Sequence, residues 1–114
     1  HTEGMIGASQ LEALGPDGVL INVGRGPLVQ ERALFDALTS GVIKGAAIDV
    51  WYRYPVDGIG CTPSHLLFEK LPNILMTPHS SGVTRDTFAG RAGDVADNIG
   101  RLVRGEPLRN LVRG

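Results

Sequence analysis

The sequence predicts an α/β protein, part of a doubly wound parallel sheet followed by one long helix. Three observations carry that prediction. The run Val19-Leu20-Ile21-Asn22-Val23 stops abruptly at Gly24-Arg25-Gly26, which suits a strand buried on both faces of a parallel sheet and then a tight turn. Next, residues 31–39 carry Ala33, Leu34, Ala37 and Leu38 at helical spacing, and a second apolar run, Gly45-Ala46-Ala47-Ile48-Asp49-Val50, follows. Strand, helix and strand within about 30 residues make a βαβ unit with a right-handed crossover. Finally, Phe88, Ala92, Val95, Ala96, Ile99, Leu102 and Val103 line one stripe across residues 84–104, the mark of a long amphipathic helix.

Composition sets the outer bounds. A chain of 114 residues can bury one core and not two. Its 11 basic and 12 acidic side chains give a net charge of −1, so no strong attraction to nucleic acid or to an anionic membrane is expected. No apolar run approaches the ~18 residues that a membrane span needs. The single Cys61 excludes an internal disulfide and a cysteine-cluster metal site, and a cytoplasmic location is the expectation. The sequence starts at His1 with no signal-like segment and reads as a piece of something longer.

In order along the chain, Ser9-Gln10-Leu11-Glu12 fits a capping box for a short helix that Gly15-Pro16 ends. Asp17-Gly18 turns into the first strand, and Pro27-Leu28-Val29 leads to the second helix, closed by Gly41. Residues 56–72 read as loop, with one helical turn at 65–69. Residues 73–78 form a third strand, which Pro78 stops because it has no amide to give a ladder. Thr84 is the expected cap of the long helix, with Gly105 and Pro107 as its stop. The tail 108–112 is apolar without period, as if meant for a surface elsewhere.

The strand ends are where chemistry is expected. In an open α/β sheet, ligands lie beyond the carboxyl ends of the strands. Strand one ends at Arg25, strand two at Asp49 and strand three at His79. Each has a plain alternative: a surface arginine in a glycine turn, a helix-capping aspartate, a loop histidine after proline. A cation, a carboxylate and an imidazole at three successive strand ends are harder to explain that way.

Those residues also carry a resemblance. Asn22-Val23-Gly24-Arg25-Gly26, Ala47-Ile48-Asp49-Val50 and Thr77-Pro78-His79-Ser80-Ser81-Gly82 resemble the D-isomer-specific 2-hydroxyacid dehydrogenases, a family that includes phosphoglycerate, glyoxylate/hydroxypyruvate and formate dehydrogenases. The likeness covers essentially the whole chain. It implies the C-terminal part of a Rossmann-type cofactor domain. Residues 1–83 would be its second half, and 84–114 a helix and tail leading back to a substrate domain. It further implies that Arg25 binds a substrate carboxylate, that Asp49 contacts the nicotinamide carboxamide, and that His79 is the acid/base group. Val23, Gly24, Arg25, His79, Ser80, Ser81 and Gly82 would then lie beside NAD, with NADP an open alternative. The implied partner is a small 2-keto or 2-hydroxy acid, and the implied assembly a homodimer at full length. The chemistry is sensible by itself: reducing a 2-keto acid needs a cation for the carboxylate and a proton donor for the carbonyl oxygen.

The chain departs from the family in two places. No G-x-G-x-x-G phosphate turn is present: Gly58-Ile59-Gly60-Cys61-Thr62-Pro63 lacks the third glycine and joins no strand to a helix. In the family that turn lies upstream, so the 114 residues alone are expected to be inactive. The second departure is Tyr54, in Asp49-Val50-Trp51-Tyr52-Arg53-Tyr54-Pro55, where the family usually has a glutamate that keeps the histidine protonated. The formate dehydrogenase branch has a neutral glutamine there. Tyr54 therefore joins Arg25 and His79 as a catalytic candidate. It also keeps two alternatives open: a formate-dehydrogenase-like enzyme, or a non-catalytic NAD(H)-sensing protein on the same scaffold.

Overall fold

The computed structural model describes residues 2–112, which fall into two compact units, His1–Ser81 and Gly82–Gly114. The first unit is built on a three-stranded parallel sheet in the order β1 (Val19–Asn22), β2 (Gly45–Ile48), β3 (Ile74–Met76). Helix α1 (Ala8–Leu14) precedes the sheet and α2 (Glu31–Ser40) connects β1 to β2. The second unit is the helix α3 (Arg85–Arg104) with its tail.

The punctuation that placed these elements is visible in the backbone. Gly41 closes α2 in the left-handed conformation, φ 72°, and Gly105 does the same for α3, φ 68°. Thr84 caps α3, its hydroxyl accepting from the Thr87 amide at 3.2 Å. The cap expected at Ser9 lies two residues earlier. Gly7 is the N-cap, its amide donating to Gln10 Oε1 at 2.9 Å, and Ser9 sits inside α1. Glycine tolerates the turn into the helix, and Gln10 supplies the reciprocal half of the box that Glu12 was expected to give. The helical turn expected at 65–69 is a single 3-10 turn three residues later, Phe68–Lys70.

One expectation about β1 is overturned. Only Leu20 and Asn22 face inward, while Val19 and Ile21 are exposed, Ile21 by 68%. β1 is an edge strand in this sheet, and one face of the sheet is uncovered. Ile21, Ala47 and Leu75 stand in one register row on that face, and the two ends of the row are open to solvent. The other face packs on α2: Ala46 and Ile48 join Leu34, Ala37, Leu38 and Leu11 in one buried cluster. Each large side chain so buried contributes roughly 1.5–3 kcal/mol. Phe68, 1% exposed, is at the centre, edge-on to Phe35 at 5.3 Å and stacked on Tyr52 at 6.3 Å.

Helix α3 buries none of its residues. The expected stripe is there, with Phe88, Val95, Ile99, Leu102 and Val103 exposed. The tail is tied back to the helix. Asn98 holds Arg109 through two bonds, accepting from its amide at 2.9 Å and donating to its carbonyl at 3.2 Å. Arg101, Arg104 and Arg109 gather around Asp97 and Glu106.

Candidate functional site

Parallel pairing puts Asn22, Ile48 and Met76 in one row, so the three strand ends open on one edge of the sheet. At the end of β1 the turn is tied by Asn22, which is 6% exposed. Its Nδ2 donates to the Arg25 carbonyl at 3.0 Å, its Oδ1 accepts from the Gly24 amide at 3.1 Å, and its carbonyl accepts from the Asp49 amide at 3.0 Å. Gly26 then passes so close to the next strand end that a Cβ there would collide with the Trp51 carbonyl. Only glycine lets the two strand ends meet. Arg25 itself is exposed, its Nη1 donating to the Gly24 carbonyl at 2.7 Å. It lines a shallow cleft with Glu3 and Pro27 and not the cavity that holds His79.

The end of β2 is organised differently. Asp49 is 2% exposed, and both its oxygens are engaged. Oδ1 accepts from Thr77 Oγ1 at 2.6 Å and from the Ser80 amide at 2.9 Å; Oδ2 accepts from Ser81 Oγ at 2.6 Å and from the Ser81 amide at 3.1 Å. The Ser81 and Thr77 hydroxyl bonds, helped by the two amides, hold this carboxyl well below the usual carboxylate range against the opposing effect of burial. Asp49 is therefore an anion at any ordinary pH.

His79 lies between those partners, at the end of β3, with a left-handed backbone of φ 59°, which costs about 1–2 kcal/mol for a residue with a Cβ. Its ring meets Tyr54: Nδ1 is 3.0 Å from the Tyr54 hydroxyl, with ring centroids 5.5 Å apart. The Tyr54 oxygen also accepts from the Trp51 amide at 3.0 Å, and Trp51 Nε1 donates to the Thr77 carbonyl at 2.9 Å. With one lone pair taken by Trp51, the phenol can give its proton to a neutral imidazole at Nδ1, leaving the ring proton on Nε2. It can equally accept from Nδ1–H of an imidazolium. The phenol serves both protonation states and adds no charge. Tyr54 and His79 border an open cavity of about 440 Å³, walled mainly by Trp51, Pro55, Cys61 and Met76, with Arg53 beside them and, among the described residues, no acidic side chain on its wall.

The structure thus gathers Tyr54, His79, Ser80, Ser81 and Asp49, and puts Arg25 and Val23 on the neighbouring strand end. Gly82 opens the second unit and is described with it. Sequence reasoning missed Asn22 and Trp51. An asparagine closing an apolar strand was the available signal, because a buried amide must find partners. For the Trp51 amide there was none. The nicotinamide half of a dinucleotide would meet exposed residues here: Val23, Gly24 and Ser80 all face solvent beyond the carboxyl ends of the strands, with the Gly24 and Ser80 amides already given to Asn22 and Asp49. The Asp49 oxygens are already occupied.

Comparisons with known proteins identify the family. The chain is 39% identical over 112 residues to a glyoxylate/hydroxypyruvate reductase B of Enterobacter agglomerans, covering 98% of this chain and 33% of that protein. A D-isomer specific 2-hydroxyacid dehydrogenase from Xanthobacter autotrophicus Py2, solved with NADPH and MES, superposes with a TM-score of 0.77 at 36% identity, over 98% of this chain and 43% of that one. The D-lactate dehydrogenase of Lactobacillus jensenii, solved with NAD+, gives 0.73 at 28% identity, over 99% and 36%. The chain spans about a third of the length of the curated relatives it matches. Residues 1–81 match the sequence model described as D-isomer specific 2-hydroxyacid dehydrogenase, NAD binding domain, and the chain belongs to that family.

Proposed function

We propose that the protein is an NAD(P)-dependent oxidoreductase acting on a D-2-hydroxy acid and its 2-keto acid, with Arg25, His79 and Tyr54 as its catalytic groups. The observation that carries this reading is the His79 imidazole, held at Nδ1 by Tyr54 on the rim of an open cavity at a strand end. In reduction, bound NAD(P)H supplies a hydride to the carbonyl carbon. His79 gives the proton that the carbonyl oxygen takes up, from Nε2, the nitrogen Tyr54 leaves free. Arg25, one of whose guanidinium nitrogens is spent on the Gly24 carbonyl, has its remaining donors for the substrate carboxylate. Val23, Gly24, Ser80 and Ser81 would border the nicotinamide, with Gly82 following. Homodimer assembly, which rests on family likeness alone, and a cytoplasmic location, which rests on the single Cys61, belong to the same proposal.

The test is oxidation of NADH and of NADPH by the full-length protein with glyoxylate, hydroxypyruvate or pyruvate. Turnover with at least one pair is expected. NADH binding without turnover on any of these acids would favour a non-catalytic sensor instead.

A further inference from the structure

Nothing local explains the left-handed backbone of His79. Pro78 precedes it and Ser80 follows, and such a conformation in a residue with a Cβ persists only where the surroundings over-determine it. Here the surroundings converge on one group. The Thr77 hydroxyl before His79, and the Ser80 amide, Ser81 amide and Ser81 hydroxyl after it, all donate to Asp49. A carboxylate has about four acceptor sites, so this one is filled by its own chain. The Asp49 amide is bonded in turn to the Asn22 carbonyl of β1, which roots the arrangement in the sheet.

We propose that Asp49 is a positioning residue for His79: by taking hydrogen bonds from both sides of residue 79, it holds the backbone in the form that presents the imidazole to Tyr54. The proposal rests on the reading of His79 as proton donor. It gives Asp49 a role in orienting the acid rather than in touching the cofactor, and the two roles separate by experiment. Asparagine cannot take over the arrangement, because it has one acceptor oxygen and turns an NH2 against a seryl or threonyl donor.

The experiment uses the full-length protein and the variants Asp49→Asn, Thr77→Val and Ser81→Ala. NADH affinity is read by fluorescence titration, turnover by steady-state kinetics, and the His79 ring nitrogens by NMR without cofactor. In Asp49→Asn, kcat is expected to fall about 100-fold, the scale of a misplaced catalytic group. NADH affinity should stay within about twofold, and the His79 signals should move toward a free imidazole's tautomer mixture. Thr77→Val and Ser81→Ala each remove one hydroxyl donor and should lower kcat by about tenfold with the same split, one charge-assisted bond each. A weaker NADH complex with kcat preserved at saturating cofactor would overturn the proposal. So would unchanged His79 signals in folded Asp49→Asn. If that variant does not fold, the other two decide: graded losses support the proposal, and wild-type kcat and ring signals in both overturn it. If wild type reduces no keto acid, the proposed activity fails, while the ring-nitrogen comparison still judges the clamp.

Discussion

The ends of β1 and β2 lie side by side and are finished to different degrees. At β2 the charged side chain is buried, with four donors of its own chain around it and the catalytic candidate held between them. At β1 the charged side chain stands in solvent, and among the described residues its guanidinium bonds only the carbonyl before it. Burial of an ion is tolerated only when its hydrogen-bonding capacity is met, so Asp49 is complete without a ligand. Arg25 meets its need in solvent. The contrast separates a charge satisfied by its own chain from one left to water.

The largest effect expected from breaking this contrast is at Arg25. In the full-length protein, Arg25→Ala should lower kcat/KM for a keto acid by about 10–100-fold, the worth of a charged hydrogen-bonded contact, with NADH affinity unchanged. Arg25→Lys should restore only part of the loss, because an ammonium lacks the planar fork. Steady-state kinetics with an independent NADH titration reads both. Full activity of the alanine variant on a carboxylate substrate would make Arg25 a turn residue only.

A smaller effect is expected at Tyr54. Reduction draws its proton from His79, so its rate should fall as pH rises. A carboxylate beside the ring favours the charged form, and Tyr54→Glu should move this limb upward by about one pH unit. Superimposable profiles, with both proteins folded and binding NADH, would show that the phenol is not the partner of His79 in turnover.

The smallest effect is on stability, and it sharpens the contrast from the other side. The Asp49 carboxyl is held below its ordinary value in the folded protein. Its stabilising contribution is therefore complete above the unfolded value of about 3.9, and fades as pH falls below it, since the unfolded chain takes up a proton that the folded one refuses. Urea midpoints measured from pH 6 downward should drop below about pH 4, and Arg25→Ala should leave that slope untouched. Asp97 shifts the same way through its bond to Arg101, but that pair is partly exposed and should weaken with added salt.

Much of this was legible because the chain marks its own boundaries. Gly41, Gly105, Pro78 and Thr84 stop or start elements by local stereochemistry, which a sequence states directly. That the strand ends before Arg25, Asp49 and His79 share one edge followed from parallel pairing alone; that Arg25 opens on a different cleft from His79 did not. What stayed hidden depends on partners far along the chain. The four bonds to Asp49 span 28 to 32 residues. Phe68 sits in a stretch with no periodicity, so its place at the core's centre had no signal. The exposure of Ile21 was misread because an apolar strand looks the same whether or not both its faces are covered.

The choice of a phenol beside His79 has an effect beyond proton transfer. Among the described residues that line the cavity, Arg53 is charged and none is acidic; the Asp49 carboxylate is buried among four donors of its own chain, and Asp57 and Glu69 line adjoining clefts that also include Arg53. An anion at this wall meets the Arg53 guanidinium first, and that attraction weakens as salt screens it over about 10 Å at 0.1 M. A glutamate at position 54 would set a negative charge against Arg53 on that same wall.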